Sequence, residues 1–255
     1  MRMAASWAPA LPAVLLCACL GWFPAPVPMT SMAWKRPAAA PHARCLVVFL
    51  PGMGDDAGDF LRHGFVADLR LRALSVDIVA ADATIGYYSH GIFLDRLARD
   101  VVEPARARGY EQLWLIGNSL GGFGTLYYAR AHAAEITGVL ALAPYLGERD
   151  VIDEIYAQGG LASWKGPPKV DAMTLDNSQR EIWRWLQAVI RGDERGPNIY
   201  LGFGETDKLA RADTVLAQAL PADHVWVIPG AHDWDTWHRL FDRFIQDSDF
   251  SHDCR

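Results

Sequence analysis

Short apolar runs that alternate with helical patterns constrain the fold of this chain more than any other feature. Runs of strand length cover 45–50, 76–81, 113–117 and 138–143, and segments with apolar residues at helical spacing separate them. Strands this apolar are buried on both faces, and a strand-helix-strand repeat joins parallel neighbours. The sequence therefore predicts an α/β fold with a mostly parallel central sheet and helices on both faces.

The alternation pauses after the fourth predicted strand. Residues 145–197 form a small insert with a tryptophan-bearing helix at 180–191, which either acts as a lid or packs on the sheet. Beyond the insert, strands are predicted at 199–203 and 225–228. Helices are predicted at 60–71, 92–108, 123–130, 209–220 and 234–245.

The N-terminal 44 residues differ in composition from the rest. Arg2 precedes an uncharged apolar stretch, so residues 1–23 resemble an export signal or an uncleaved membrane anchor. The sequence LCAC, which ends at Cys19, resembles a bacterial lipobox and implies acylation of that thiol as an alternative to a soluble secreted product. Prolines and alanines predict an extended tether at 24–44 and one folded domain at 45–255. We therefore expect export to the bacterial periplasm, the cell envelope or the medium.

The charge balance argues against a nucleic-acid partner. The 255-residue chain has a formal net charge of −6, and because residues 1–44 hold four basic side chains and no acid, the rest carries −10. Binding to phosphate backbones needs clustered Lys and Arg. An acidic body without such clusters favours a small-molecule substrate.

Two cysteines lie in the predicted domain. Cys45 opens its first strand and Cys254 is the penultimate residue of the chain. A disulfide between them would suit an oxidising compartment and tie down the C-terminus. Two unrelated thiols are the alternative, since the sequence does not give their separation.

The third apolar strand ends in the motif G-x-S-x-G, and a helix is predicted directly after it. A serine on so tight a turn projects clear of the backbone. The flanking Gly117 and Gly121 carry no Cβ atom that would clash with the neighbouring strand and helix. This setting predicts that Ser119 is an exposed nucleophile; a glycine-rich turn with an incidental serine is the alternative.

A base for Ser119 is expected at the end of another strand, because a serine hydroxyl is a poor nucleophile without one. His232 follows the last predicted strand through a short loop, and an imidazole suits the role at neutral pH. Among the eight histidines, His90 is the less well placed alternative, and most of the others lie in predicted tails or helices. We therefore expect His232 to be the base.

A carboxylate should fix the tautomer of this imidazole and stabilise its cation. Asp207, just after the strand at 199–203, is the preferred residue. Glu205 is an alternative in the same loop, and Glu148 and Asp150 are reserve candidates after the fourth strand. The structural alternative for Asp207 is to cap the helix that follows.

Two backbone N–H groups are expected to form an oxyanion hole, because the tetrahedral intermediate concentrates negative charge on one oxygen. Leu120, the residue after the nucleophile, supplies one donor. The loop after the first core strand, Pro51-Gly52-Met53-Gly54, supplies the other through Met53. An ordinary Pro-Gly turn is the alternative for this loop.

Together these strand-end motifs resemble the α/β-hydrolase superfamily over residues 45–245. The motifs are LPGMGDD at 50–56, GNSLGG at 117–122, GETD at 204–207 and GAHDWDTW at 230–237. The resemblance implies an eight-stranded type of sheet, reduced here at its N-terminal end. It implies a nucleophile, an acid, a base and two oxyanion donors at Ser119, Asp207, His232, Met53 and Leu120.

Within that superfamily, the HDWDTW segment is similar to the esterase branch, which includes esterase-D-like carboxylesterases. One departure is that Pro51-Gly52 stands where the superfamily usually has His-Gly. The resemblance implies a serine hydrolase that cleaves an ester or thioester through an acyl-enzyme. Amidase, peptidase or acyltransferase activity on the same residues is an alternative, and a non-catalytic binding module on this fold is another.

No cofactor or metal is expected, because the sequence contains no phosphate-binding glycine loop and no HExxH or CxxC motif. Asp55 and Asp56 lack the clustered histidines of a metal site. Several aromatic residues lie in or near the insert and either line an acyl pocket or pack in the core. They are Trp164, Trp183, Trp185, Tyr87 and Tyr88.

Overall fold

A seven-stranded sheet runs through the protein, whose computed structural model describes residues 23–36, 43–72 and 74–255. The strand order is β1-β3-β2-β4-β5-β6-β7. β1 pairs antiparallel with β3, and all other neighbours are parallel, which confirms the predicted α/β fold. The strands are β1 (Ser31–Trp34), β2 (Cys45–Leu50), β3 (Val76–Ala81), β4 (Gln112–Asn118), β5 (Gly138–Leu142), β6 (Asn198–Gly204) and β7 (Val225–Ile228).

Helices connect and cover the strands. β2 and β5 are buried at every position, as expected for central strands of a parallel sheet with layers on both faces. The α-helices are α1 (Asp59–Arg62), α2 (Phe65–Leu71), α3 (Ile85–Ser89), α4 (Phe93–Leu97), α5 (Glu103–Arg106), α6 (Leu120–Ala131), α7 (Arg149–Ala157), α8 (Leu175–Arg191), α9 (Ala210–Ala217), α10 (Trp234–Asp247) and α11 (Phe250–Asp253).

Two of the predicted helices are divided. The one at 60–71 breaks into α1 and α2 at Gly64, whose φ of 87° lies in the left-handed region that glycine adopts without strain. The one at 92–108 widens into a π-helix at Ala98–Val102 between α4 and α5. Pro104, which has no N–H to donate, follows this wide turn.

The N-terminal segment packs more than the sequence predicts. The tether predicted at 24–44 is wrong for 31–34, which form the edge strand β1. Met29 before it is buried, and its N–H donates to Asp100 Oδ2 over 2.6 Å. None of the prolines of this segment lies within 31–34, so each N–H of β1 remains able to pair.

Residues 1–22 of the predicted signal, which include the lipobox cysteine Cys19, and residues 37–42 of the tether lie outside the described residues. Within the described residues, no helix combines the length and the apolar character needed to cross a membrane.

The tryptophan-bearing helix of the insert packs on the body of the protein. Trp183 and Trp185 of α8 are buried, and Trp183 Nε1 donates to the carbonyl oxygen of Leu146 over 2.8 Å. The helix begins earlier than predicted, because Thr174 and Asn177 form a capping box at its N-terminus. Of the two roles considered for this helix, the structure therefore supports packing.

A buried ion pair fastens α8 to α6. Arg130 Nε donates to Glu181 Oε1 over 2.8 Å, and only 1% of the Glu181 side chain is exposed. Burial raises the pKa of Glu181, but hydrogen bonds from Arg184 and Arg130 outweigh it and leave the pKa below its usual value. The carboxylate is therefore charged and paired at neutral pH.

A disulfide joins Cys45 at the start of β2 to Cys254 at the C-terminus, 209 positions away in sequence. Both residues are buried, and Ser75 N–H donates to the carbonyl oxygen of Cys254. The sequence left open whether these cysteines form a disulfide or remain two separate thiols, and the structure contains the disulfide.

We predict that reduction of this disulfide lowers the free energy of unfolding by about 2–5 kcal/mol, because the bond closes a long loop in the unfolded chain. Urea unfolding with and without reductant measures the change. The double variant Cys45→Ala/Cys254→Ala is the control and should not respond to reductant. An oxidised wild type whose urea midpoint stays constant on reduction would contradict the prediction.

Candidate active site

Ser119 lies on a strained turn between β4 and α6. Its φ of 52° and ψ of −116° are unusual for a residue with a side chain. A Cβ on Gly117 would lie 2.3 Å from the carbonyl oxygen of Gly121, and a Cβ on Gly121 would lie 1.9 Å from that of Leu50. The backbones of β2, β4 and α6 thus meet without side chains between them, and Ser119 remains partly exposed.

The turn after β5 holds the backbone of Ser119 on both sides. Ser119 N–H donates to Leu142 O over 2.9 Å, and Tyr145 N–H donates to Ser119 O over 3.0 Å. Ala143 between them has a φ of 42°, a left-handed value that is uncommon for alanine. The sequence contained no signal for this second strained residue, because alanine occurs in every kind of element.

Three side chains from different strand ends form one hydrogen-bonded chain. His232 Nε2 lies 2.9 Å from Ser119 Oγ, and His232 Nδ1 lies 2.9 Å from both carboxylate oxygens of Asp207. The Asp207 side chain is fully buried, whereas 12% of the His232 side chain is exposed. A neutral imidazole that donates from Nδ1 to Asp207 leaves Nε2 free to accept the Ser119 proton.

The loop after β6 sets the position of Asp207. Asp207 N–H donates to Gly204 O over 3.1 Å, and Asp207 Oδ1 also accepts from Leu209 N–H over 2.8 Å. The carboxylate therefore binds the backbone ahead of α9 as well as the imidazole. Asp207 can therefore bind the imidazole and cap the chain ahead of α9 in the same conformation.

The loop after β7 sets the position of His232. Thr206 N–H donates to Gly230 O over 2.9 Å, which joins this loop to the loop of Asp207. Asp233 caps α10 through Thr236 N–H over 2.8 Å. The imidazole also meets the edge of buried Trp237, with ring centroids 4.9 Å apart. Sequence reasoning missed this packing partner of the imidazole.

The residues considered as alternatives to Asp207 and His232 contact other groups or the solvent. Glu148 accepts from Tyr145 OH over 2.6 Å, and Asp150 pairs with Arg180 over 3.2 Å. Glu205 is exposed to solvent. His90 Nε2 lies 3.2 Å from the carbonyl oxygen of Phe23. The residues that the structure joins to Ser119 are His232 and, through it, Asp207.

The loop after β2 forms a turn beside the nucleophile. Asp55 N–H donates to Gly52 O over 3.2 Å, and Gly54 has a φ of 92°, so Met53 occupies the second position of a type II turn. The N–H at this position takes no part in the turn's own hydrogen bond. A Cβ on Gly52 would lie 3.4 Å from Ser119 Cβ.

Leu120 is the first residue of α6, and the first N–H groups of a helix have no partner within it. Leu120 directly follows Ser119, and Met53 directly follows Gly52, the glycine that lies close to Ser119. Their roles as oxyanion donors stay predictions.

The aromatic residues considered for an acyl pocket pack in the core. Each of them is at most 3% exposed, and the Nε1 atom of Trp164 donates to Glu154 over 2.9 Å. Tyr145, which is partly exposed and hydrogen-bonded to Ser119 through its backbone, lies closer to the site. The buried set comprises Trp164, Trp183, Trp185, Tyr87 and Tyr88.

A further buried acid, Asp213, lies on α9. It is fully buried, and neither of its carboxylate oxygens has a hydrogen-bond partner in the described residues. Burial raises its pKa well above the usual value, and the negative charge of Asp207 adds to the effect. Burial therefore favours the protonated, neutral form of Asp213.

Solved structures share this fold at low identity. FphF, a fluorophosphonate-binding serine hydrolase of Staphylococcus aureus, has 12% identity over 86% of this chain and 98% of its own, with a TM-score of 0.61. An S-formylglutathione hydrolase from Agrobacterium tumefaciens has 12% identity over 86% and 88%, with a TM-score of 0.57. Est1E from Butyrivibrio proteoclasticus, solved with ferulic acid, has 16% identity over 86% and 95%, with a TM-score of 0.54.

By sequence, no protein-family model and no curated protein matches this chain. The structural similarity establishes the α/β-hydrolase fold that the four strand-end motifs predicted.

We predict that Gly121→Ala lowers the free energy of unfolding by more than about 3 kcal/mol, because the new Cβ would overlap the rigid backbone of Leu50. Chemical denaturation measures the effect. Gly109→Ala is the control, since its surroundings are open and only its φ of 84° opposes a side chain, at about 1–2 kcal/mol. Equal losses in the two variants would contradict the close approach at the elbow.

We predict that Asp213→Asn stabilises the protein at pH 7 and that the gain shrinks as the pH falls towards 4. The raised pKa means that folded wild type binds a proton that the unfolded chain has released, so wild-type stability falls as the pH rises above about 4. Urea unfolding at several pH values measures the difference. The exposed Asp193→Asn is the control, and a gain independent of pH would contradict the prediction.

Proposed function

We propose that this protein is a serine hydrolase that cleaves a carboxylic ester or thioester through an acyl-enzyme. The observation that carries the proposal is the hydrogen-bonded chain from Ser119 Oγ through His232 to buried Asp207, built on a strained elbow. Such a chain activates a hydroxyl that would otherwise be a weak nucleophile.

The first half of the reaction acylates Ser119. His232 Nε2 accepts the hydroxyl proton while Ser119 Oγ attacks the carbonyl carbon, and the Asp207 carboxylate stabilises the imidazolium that forms. The tetrahedral intermediate collapses, His232 returns the proton to the leaving alcohol or thiol, and the acyl group stays on Ser119. In the second half, water repeats the attack with His232 as base, and the acid leaves.

We propose that the N–H groups of Leu120 and Met53 bind the negatively charged oxygen of both tetrahedral intermediates. Leu120 begins a helix, where N–H groups and the helix dipole favour an anion. Met53 lies in a turn that leaves its N–H out of the turn's own hydrogen bond. Preorganised donors of this kind supply a large share of the rate enhancement in acyl transfer.

The named activities of proteins with the same fold agree with this chemistry. They include a fluorophosphonate-binding serine hydrolase, S-formylglutathione hydrolases, a ferulic acid esterase and a monoacylglycerol lipase. The substrates in these names include oxygen esters and a thioester, so the proposal covers both kinds of bond. Turnover of amides in place of esters would identify the protein as an amidase or peptidase. Transfer of the acyl group to an acceptor other than water would identify it as an acyltransferase.

We further propose that the domain works in an oxidising compartment outside the cytoplasm. The disulfide between Cys45 and Cys254 supports this location, because such bonds persist where thiols are not kept reduced. The basic and apolar composition of residues 1–23 supports export, with either cleavage or anchoring through the N-terminus.

We predict that a fluorophosphonate probe labels Ser119 and that the label is lost in Ser119→Ala, with ester turnover reduced by about 10⁴-fold or more. Asp207→Asn should lower kcat by about 10⁴-fold, because the imidazole loses the partner that fixes its tautomer. Glu205→Gln, in the same loop, is the control and should keep wild-type rates.

Mass spectrometry of the labelled peptide and kcat values for nitrophenyl esters, a thioester and an anilide measure these effects. Label on another residue, or full activity in Ser119→Ala, would overturn the proposed function. A folded wild type that binds esters without turnover would identify it as a binding module.

A further inference from the structure

Asp55 connects the loop of Met53, the elbow of Ser119 and the N-terminus of α10, which follows His232. Its N–H closes the turn that contains Met53 by donating to Gly52 O over 3.2 Å. Its Oδ2 accepts from Asn118 Nδ2 over 3.2 Å, and its Oδ1 accepts from Trp234 Nε1 over 3.4 Å. Asn118 immediately precedes the nucleophile, and Trp234 lies two residues after His232. One carboxylate thus bonds to the elbow and to the first residue of α10, directly after the loop of the base.

The contact with the elbow is close and oriented. A Cβ on Gly52 would lie 2.7 Å from Asp55 Oδ2 and 2.8 Å from Asn118 Nδ2, so these groups surround the residue that precedes Met53. Asn118 is fully buried, and its Oδ1 has no hydrogen-bond partner among the described residues. The bond to Asp55 therefore determines which end of the amide faces the turn, because a carboxylate only accepts.

Trp234 offers Asp55 a rigid donor. Its ring stacks on His63 with centroids 4.5 Å apart and meets the edges of Phe60 and Phe65. A large ring packed on three sides has little freedom to move its Nε1 atom. The carboxylate of Asp55 thereby lies between a buried amide on the elbow and an indole that packs against three rings.

Asp55 is not needed for the local fold of its own loop. Asp56 Oδ1 accepts from Gly58 N–H over 2.7 Å and pairs with Arg62, and Asp59 Oδ2 accepts from Asp56 N–H over 2.9 Å. These neighbours hold the start of α1. The side-chain bonds of Asp55 lead to other parts of the chain, at separations of 63 and 179 residues.

We propose that Asp55 is a positioning residue that holds the Met53 turn at the correct distance from Ser119 and His232 during the reaction. This inference rests on the proposed function. The turn contains Gly52 and Gly54, which leave its backbone freedom, and an oxyanion donor must be placed within about 0.5 Å. A carboxylate suits the position because its two oxygens accept from both N–H donors at once.

The experiment compares Asp55→Ala, Asp55→Asn, Trp234→Phe and the double variant Asp55→Ala/Trp234→Phe. Each is measured for kcat and KM on a nitrophenyl ester and for inhibition by benzeneboronic acid, which forms a tetrahedral adduct with an active serine. Circular dichroism and a thermal melt report the fold. Asp56→Asn is the matched control, since Asp56 lies in the same loop and its side chain bonds to Gly58 and Arg62, at the two ends of α1.

We expect Asp55→Ala to lower kcat by about 100-fold, the effect of a misplaced oxyanion donor, with KM changed by less than about 3-fold. Boronic acid affinity should fall with kcat. Asp55→Asn should lose less, about 10-fold, because its amide oxygen still accepts one of the two bonds. Asp55→Ala should cost less in the Trp234→Phe background than in wild type, since the two changes remove the same bond.

If the wild type is active and Asp55→Ala keeps its kcat and its affinity for the boronic acid, the positioning role of Asp55 is overturned while the proposed function stands. The same holds if Asp55→Ala lowers only the melting temperature. If Asp55→Ala does not fold, full activity in both Asp55→Asn and Trp234→Phe overturns the role. A wild type that neither reacts with a fluorophosphonate nor turns over any ester overturns the proposed function, and the role of Asp55 with it.

Discussion

The contact of bare backbones at the elbow is the constraint on which the site depends. β2, β4 and α6 approach so closely that a single methyl group at Gly117 or Gly121 would overlap a carbonyl oxygen. Two glycines therefore permit a turn that forces Ser119 into a left-handed φ and directs its side chain away from the sheet. Backbone hydrogen bonds to Leu142, at the end of β5, and to Tyr145, after it, hold the strained turn in place.

The parallel sheet brings the other groups to the same edge. Leu50 pairs with Gly117, and Asn118 pairs with Leu142, so the loops after β2, β4 and β5 begin at one level. Because this edge is where parallel strands end, polar groups there reach solvent while the strands behind them stay apolar. Asn118 and Asp207 are buried exceptions, and the carboxylate of Asp207 is satisfied by His232 and a backbone N–H.

Much of this arrangement could be predicted from the sequence, because the strands are nearly continuous apolar runs and the G-x-S-x-G motif has a defined strand-turn-helix setting. The edge strand β1 and the helix α7 were missed. β1 lies in a segment whose prolines suggested an extended tether, and it becomes a strand only by pairing with β3. The burial of Trp183 and Trp185 likewise depends on α8 meeting the rest of the fold, since an aromatic residue in an insert suits a pocket equally well.

The sequence by itself determined the order of the strands from β2 to β7, the elbow, and the preferred serine, acid and histidine at three strand ends, because these follow from local pattern and chain order. Tertiary structure decided which distant groups meet. Two kinds of contact join residues far apart in sequence: the disulfide between Cys45 and Cys254, and the hydrogen bonds of Asp55 to Asn118 and Trp234. The left-handed φ of Ala143 likewise had no signal in the sequence. The physical reason is that hydrogen bonds and covalent bonds require approach within a few ångströms, and only the packed sheet creates that approach.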